Sequence, residues 1–274
     1  MVSMDRIAGM NLHYIRYSLD YFLDDMVKND IPNIELWGGF PHLYTEDATL
    51  SELKKLNKGI KARDLNLVCY TPEQLMYANN IASHEADVRK RSIDYYTENI
   101  EIAAELESPY MLMTAGTGAF EDGKEPAWNR SRESLRILSE KATTAGIVLL
   151  LEPLQPFESN LINNKKELQT MLKEVGSNSL EGMLDLVAMH VSGDEVTDYF
   201  NELESVRHIH FIDGAPAGHL ALGEGTLPLT DYLKEIQGFG YEGYFSLELA
   251  SSKYYIDPSQ ALKTSMDYLK TILK

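Results

Sequence analysis

Four short, mostly apolar runs in the second half of the chain each end in a side chain that can bind a metal ion. These end residues are Glu152, Asp185, His210 and Glu248. Three carboxylates brought together would repel one another and partly take up protons unless a cation lay among them. A charged residue at one such position often marks only the point where the chain leaves the core. Four in consecutive runs, with no Lys or Arg at the run ends to neutralise them, predict a divalent metal centre.

The donor types determine which metals we expect. Three oxygen donors and one imidazole form a hard to intermediate site, which suits Mn²⁺, Mg²⁺ or Co²⁺ better than a thiolate-selecting metal. Mn²⁺ is the first expectation, and Zn²⁺ stays open because affinity alone would favour it. His208 lies two residues before His210, so both point to the same side of an extended strand. Three roles stay open for His208: it orients one of the metal ligands, it is itself a further ligand, or it is a hydrogen-bonded histidine in the barrel interior.

The hydrophobic patterning predicts the elements that would bring these residues together. Short apolar runs alternate with longer amphipathic runs along the chain, which implies parallel strands joined by helical crossovers. Strands are predicted near residues 7–13, 33–37, 65–70, 110–114, 147–152, 180–185, 206–212 and 244–249. Helices are predicted near residues 18–29, 49–63, 84–107, 126–145, 165–174, 195–204, 229–239 and 258–273.

Eight strand–helix units favour a closed (β/α)8 barrel, the TIM barrel, over an open sheet, and 274 residues suit that fold. No Pro/Gly/Ser-rich linker divides the sequence, so residues 1–274 are predicted to form one domain. In such a barrel all carboxyl ends of the strands open onto one face, where active sites lie. The four end residues, on the fifth to eighth strands, are therefore expected to meet there.

The overall charge and the cysteine content narrow the range of partners. The formal net charge is −17, and an acidic surface repels phosphate backbones and anionic lipid, so neither nucleic acid nor a membrane is an expected partner. The single cysteine, Cys69, permits no intramolecular disulfide. Residues 1–10 hold no apolar stretch long enough for a signal peptide. These features predict a cytoplasmic protein.

Sequence motifs surround several of the predicted strand ends. They are IELWGGFPH (34–42), YTPE (70–73), LLEPLQPFESN (150–160), MLD (183–185), RHIH (207–210), GEG (223–225), LPL (227–229) and GYEGY (240–244). Together they resemble the xylose-isomerase-like TIM-barrel sugar isomerase/epimerase superfamily, which includes the ketose 3-epimerases, and look most like its fructoselysine 3-epimerase branch. The resemblance implies an isomerase with a small-molecule sugar substrate. It leaves a homo-oligomer open, since relatives are often dimers or tetramers.

The resemblance also implies roles for individual residues. The family's metal ligands match Glu152, Asp185, His210 and Glu248. Its substrate-contacting glutamate, six residues after the first ligand, matches Glu158. Further substrate contacts are predicted for the rings of Trp37, His42, Tyr70 and His219. Aromatic rings at a barrel mouth can stack on a sugar face, which is the reason for including the first three.

Two departures from the family pattern bear on the substrate. Ketose 3-epimerases have a histidine three residues after the aspartate ligand, where this chain has Ala188. Many also place an arginine in the loop after the histidine ligand, and residues 213–219 contain none. Both departures argue against free D-tagatose or D-psicose. Few Arg or Lys lie near the predicted strand ends, which favours an unphosphorylated sugar or an amine-bearing one such as fructoselysine.

The expected chemistry is proton transfer at a carbon next to a carbonyl, through a metal-stabilised enediolate. Epimerisation needs a base on each face of the carbanion, and Glu152 and Glu248 are the predicted pair. One would act as carboxylate base and the other as carboxylic acid, with roles exchanged in the reverse direction. Aldose–ketose isomerisation could use a single base, and the sequence leaves both reactions open.

Three other readings of the sequence stay in view. A dehydratase or a hydroxypyruvate-type isomerase could use the same ligands. An endonuclease IV-like enzyme would need more His and acidic ligands and a basic face for DNA, and seven histidines with a net charge of −17 disfavour it. A non-catalytic sugar-binding protein would not need two carboxylates so placed.

Overall fold

Eight parallel strands close into a barrel in the computed structural model, which describes residues 3–74 and 78–273. The strands are β1 (Ile7–Met10), β2 (Asn33–Gly38), β3 (Asn66–Pro72), β4 (Tyr110–Met113), β5 (Val148–Leu151), β6 (Leu180–Asp185), β7 (Val206–His210) and β8 (Tyr244–Leu247). Each strand pairs with the next along the chain, and β8 pairs with β1. All eight carboxyl ends therefore open onto one face. The predicted (β/α)8 barrel is confirmed.

Nine α-helices lie within the described residues and surround the barrel. They are α1 (Leu19–Lys28), α2 (Leu50–Lys61), α3 (Ala86–Glu105), α4 (Lys124–Ala145), α5 (Lys165–Val175), α6 (Leu186–Ser192), α7 (Val196–Glu202), α8 (Leu229–Gly238) and α9 (Pro258–Ile272). Eight of them correspond to predicted helices. Helix α6 does not, because its short apolar run gives no amphipathic period that a sequence window would detect.

Local sequence signals explain where several of these helices begin or end. Helix α2 starts with a capping box formed by Thr49 and Glu52. Helix α4 is capped at its C-terminal end by Gly146, whose φ of 73° lies in the left-handed region that glycine adopts readily. Helix α9 starts at Pro258, a first-turn position that tolerates proline. These signals set the starts of α2 and α9 and the end of α4, after which β5 begins.

The core has two layers, because successive strand residues point to opposite sides of the barrel wall. The inner apolar layer consists of Cys69, Leu112, Leu150 and Met183. The larger outer layer packs the strands against the helices and includes Tyr70. No helix in the described part of the chain has the length and apolar character needed to cross a lipid bilayer. The assignment of residues 1–274 to one domain stays a prediction.

Candidate active site

The four predicted metal-binding residues meet at the carboxyl end of the barrel. Asp185 and His210 are the last residues of β6 and β7, while Glu152 and Glu248 directly follow β5 and β8. Their ligand atoms all lie within 4.8 Å of one another. His210 Nδ1 is 2.9 Å from Glu152 Oε1 and 2.9 Å from Glu248 Oε2. The barrel topology alone produces this convergence, since the residues come from four neighbouring strands.

The polar atoms at the centre of this cluster fit a cation. Asp185 Oδ2, His210 Nδ1 and Glu248 Oε2 are buried, and although they lie close together, none forms a hydrogen bond of regular geometry with another described residue. Leaving such an atom unsatisfied costs about 1–3 kcal/mol, and more when it is charged. Three carboxylates and one imidazole are the donors that a divalent ion of the Mn²⁺ or Mg²⁺ class accepts. The donor set therefore fits such an ion, and the ligand roles stay a prediction.

Glu35 is a buried carboxylate of the site that the sequence reasoning missed. It lies in β2 and is fully buried. Its Oε1 is 3.2 Å from Nε2 of His210, and its Oε2 is 2.7 Å from Nε2 of His208. With Nε2 facing Glu35, Nδ1 of His210 is turned towards the three carboxylates. The available signal was an acidic residue inside the apolar run IELW (34–37), because a buried carboxylate needs partners.

His208 belongs to the layer beneath the centre. Glu35, Cys69 and His208 also have ligand atoms within 4.8 Å of one another. However, Glu35 already accepts a hydrogen bond from the Thr71 hydroxyl, and its oxygens contact ring nitrogens of both His208 and His210. This group is a hydrogen-bonded network and has less need of an ion than the group above it. Of the three alternatives for His208, the hydrogen-bonded interior histidine matches these contacts.

Burial and neighbouring charges push the two glutamates in opposite directions. Burial raises the pKa of Glu152 above its ordinary value, although His210 opposes the shift. Burial also acts on Glu248, but His210 and His219 outweigh it and hold the pKa of Glu248 below its ordinary value. Two carboxyl groups of the same type are thus held with different proton affinities. That difference is characteristic of acid and base pairs in active sites.

Glu158 and His219 both lie beside the cluster, and their substrate roles stay predictions. His219 Nδ1 lies 3.0 Å from Glu248 Oε2, and its Nε2 lies 3.8 Å from Asp185 Oδ2. Glu158 accepts a hydrogen bond from the Gln155 backbone N–H at 2.9 Å, and burial raises its pKa. Both residues line a small cavity with Glu152, Asp185, Ala188 and Glu248. The lining of this cavity therefore includes Ala188, from α6, and the imidazole of His219, from the loop after β7.

Trp37 lies in β2 and His42 lies in the loop after it, and contacts with the protein hold both rings in place. Trp37 is 5% exposed and donates its indole N–H to Glu73 Oε2 at 2.9 Å. The two ring nitrogens of His42 lie 2.8 Å from Asn11 Nδ2 and 2.9 Å from the Tyr17 carbonyl oxygen. The polar atoms of both rings are thus engaged, which leaves the ring surfaces as the means of contacting a sugar. Their substrate roles stay predictions.

The structure does not bring Tyr70 to the barrel mouth. Its side chain is fully buried in the outer layer, and its hydroxyl donates to Asn99 Oδ1 on α3 at 2.7 Å. Cys69, the preceding residue, faces the barrel interior, so Tyr70 must face the helices. As placed, its ring offers no surface to a sugar, in contrast to the sequence-based expectation.

Comparison with known proteins identifies relatives over nearly the whole chain. The sequence model of the family described as Xylose isomerase-like TIM barrel matches residues 24–272. Fructoselysine 3-epimerase of Shigella flexneri is 30% identical over 261 residues, which span 94% of each chain. D-psicose 3-epimerase of Ruminiclostridium cellulolyticum is 25% identical over 239 residues, which span 83% of this chain and 77% of that protein. Both relatives are named epimerases, and epimerases are isomerases, so the predicted family and enzyme class are confirmed.

A solved structure shows the same fold. The crystal structure of D-psicose 3-epimerase with D-tagatose from Clostridium cellulolyticum H10 superposes with a TM-score of 0.81. The superposition covers 97% of this chain and 98% of that chain, at 17% identity. At such low identity the likeness concerns the path of the backbone, and it agrees with the closed barrel described above.

Proposed function

This chain belongs to the xylose isomerase-like TIM barrel family, and from that premise we propose that it is a metal-dependent sugar epimerase that inverts carbon 3 of an amine-bearing ketose such as fructoselysine. The observation that carries the proposal is the meeting of three carboxylates and one imidazole within 4.8 Å at the barrel mouth. The name of the Shigella flexneri relative and the absence of an arginine from residues 213–219 support the choice of substrate.

The proposed metal-binding residues are Glu152, Asp185, His210 and Glu248, with Mn²⁺ as the first candidate. When bound, a divalent ion supplies positive charge beside the carbonyl and hydroxyl oxygens of the sugar, which makes the neighbouring C–H bond more acidic. The protein contributes the orientation of the donors, and Glu35 fixes the ring of His210 from below.

Proton transfer is assigned to the two glutamates. Epimerisation removes a proton from one face of carbon 3 and returns one to the other face, so it needs two groups. One of Glu152 and Glu248 takes the proton as a carboxylate, and the other returns one as a carboxylic acid. They follow β5 and β8, whose ends lie on different parts of the barrel rim. The reverse reaction exchanges their roles.

Glu158 and His219 are proposed to hold the sugar between these glutamates. Both line the cavity that contains the cluster. A buried carboxylate can accept hydrogen bonds from sugar hydroxyl groups, and an imidazole can donate to a sugar oxygen. Water is restricted in this cavity because Glu152 and Asp185 are buried, which strengthens each of these polar contacts.

The test is incubation of the purified enzyme with Mn²⁺ and fructoselysine in deuterated water. We expect deuterium at carbon 3 and formation of both epimers, followed by nuclear magnetic resonance. Glu152→Gln and Glu248→Gln should each lower kcat by roughly 10²- to 10⁴-fold, because each removes one proton-transfer group. Glu242→Gln is the matched control, since Glu242 is exposed and precedes the same strand that Glu248 follows. The control should retain wild-type turnover.

Other products would contradict the proposal. A new carbonyl absorbance with loss of water would identify a dehydratase, and an aldose product without exchange at carbon 3 would identify an aldose–ketose isomerase. Nicking of abasic DNA would revive the endonuclease reading. Full turnover by both glutamine variants would remove the acid–base assignment.

A further inference from the structure

A second cavity adjoins the candidate active site on the same face of the barrel. Its volume is about 390 Å³, and it lies between the loop before α3, the first turns of α3 and the loops after β4 and β5. Leu154 and Glu158 line both this cavity and the small cavity that contains the metal-binding cluster. The two spaces therefore share a wall formed by Leu154 and Glu158.

Two charged side chains of this cavity, Glu158 and Arg91, lie in different parts of its lining. Glu158, at the shared wall, is the inner charge. Arg91, on α3, lines only the second cavity and is the outer charge. Leu154 and Val88 add apolar surface to the same lining. A ligand that fills the space would thus meet an acid at the wall shared with the cluster, a base on α3, and apolar surface from Leu154 and Val88.

Arg91 has donors to spare. Its Nη2 donates to the Ala78 carbonyl oxygen at 2.7 Å. Within residues 3–74 and 78–273 it forms no ion pair, although the chain has 42 acidic and 25 basic residues. An unpaired surface arginine is solvated and means little alone. In a cavity that adjoins the candidate active site, its planar fork suits a carboxylate.

We propose that this cavity binds the substituent of the ketose, an amino acid joined to the sugar through its side-chain nitrogen. Arg91 binds the α-carboxylate, and Glu158 contacts the cationic nitrogen next to the sugar. The methylene chain between them lies along Leu154 and Val88. The inference rests on the proposed function, since it assumes that the sugar sits at the cluster. A volume of about 390 Å³ is within the range of small-molecule sites.

A phosphate on the sugar is the competing source of an anion for Arg91. A phosphate would carry about two negative charges past Glu158 and would find a single cation, Arg91, among the described residues that line the cavity. Anions of that kind are normally bound by several donors. A zwitterionic substituent matches both charges, so the amino acid is the occupant that the lining favours.

The test compares two ketose adducts, of which only one carries an α-carboxylate. One is the lysine adduct of fructose, and the other is the pentylamine adduct, which keeps the side-chain nitrogen and the methylene chain but lacks both the α-amino and the α-carboxylate group. For the lysine adduct, we expect Arg91→Gln to raise KM roughly 10- to 100-fold with kcat nearly unchanged, because it removes a charge-assisted contact. For the pentylamine adduct, KM should not change. Lys90→Gln is the matched control, since Lys90 is the preceding residue of α3 and is paired with Asp94.

Calorimetric binding of both adducts to the same variants makes the result independent of turnover. Equal effects of Arg91→Gln on the two adducts, or no effect on either, would overturn the inference. An Arg91-dependent KM for a ketose phosphate, with none for the lysine adduct, would assign the cavity to phosphate instead. If the enzyme epimerised the lysine adduct at carbon 3 but Arg91→Gln did not distinguish the two adducts, the proposed function would stand and this inference would fail. If neither adduct bound, the inference would also fail.

Discussion

His210 is the imidazole of the proposed metal site, and Glu35 is the residue that holds its ring in place. Its carboxylate contacts Nε2 of His210 and Nε2 of His208 and accepts a hydrogen bond from the Thr71 hydroxyl. A carboxylate in this position fixes the tautomer and the orientation of a metal-binding histidine. Glu35 acts through His210 and is therefore a positioning residue.

Neutralising this carboxylate should weaken the metal site. We expect Glu35→Gln to reduce Mn²⁺ affinity roughly 10- to 100-fold, measured by titration calorimetry, because an amide cannot accept equally from both histidines. Asp25→Asn is the control. Asp25 is another buried carboxylate, bonded to Tyr14 and Ser259, and its neutralisation should leave Mn²⁺ affinity unchanged. Wild-type affinity in the Glu35 variant would show that His210 needs no such support.

The residues of the site differ in how far the sequence could predict them. The four end residues could be identified because the topology of a parallel barrel brings the ends of neighbouring strands together. Glu35 could not, because its partner His210 is 175 positions away and the pairing depends on facing across the barrel interior. The Tyr70 expectation failed for a different reason. Strand β3 continues to Pro72, and its alternation turns Tyr70 towards α3.

At the scale of elements, α6 and the proposed metal-binding cluster share one residue, Asp185. Asp185 ends β6 and caps α6, with its Oδ1 accepting the Ala188 backbone N–H at 2.6 Å. Its Oδ2 has no hydrogen-bond partner among the described residues and is the atom that faces the cluster. One carboxylate thus ends a strand, starts a helix and points a donor at the centre. Sequence patterning predicted the strand end but missed the helix, since seven residues are too few to show a period.

This double role separates two substitutions. Asp185→Asn keeps an oxygen that can cap α6, whereas Asp185→Ala removes it, so the alanine variant should be less stable by roughly 0.5–2 kcal/mol. Chemical denaturation in the presence of a chelator measures the free energy of unfolding without a metal contribution. Both variants should bind Mn²⁺ poorly, because each loses the charged donor. Equal stability of the two would mean that the cap contributes nothing to the barrel.

At the scale of the whole molecule, charge favours cations over anions. The chain carries a formal net charge of −17, and three of its carboxylates lie together in one small, buried region at the cluster. Folding must bring those carboxylates together, and their repulsion opposes the compact state. A divalent ion at the centre would relieve that repulsion in the folded protein and would find no comparable site in the unfolded chain. Metal binding should therefore stabilise the fold as well as assist the chemistry.

The stabilisation can be measured directly. A ligand that binds only the folded state at 100 times its dissociation constant adds about 2.7 kcal/mol. For a chain of 274 residues this corresponds to a rise in Tm of roughly 5 °C. We expect that rise when Mn²⁺ is added to chelator-treated protein, followed by differential scanning calorimetry. General screening of the acidic surface would also raise Tm, so NaCl at equal ionic strength is the first control. An Asp185→Asn/Glu248→Gln double variant is the second, since it keeps the fold's overall acidity but loses two donors. A Tm rise that persisted in the double variant would place the stabilising ions on the surface and not at the barrel mouth.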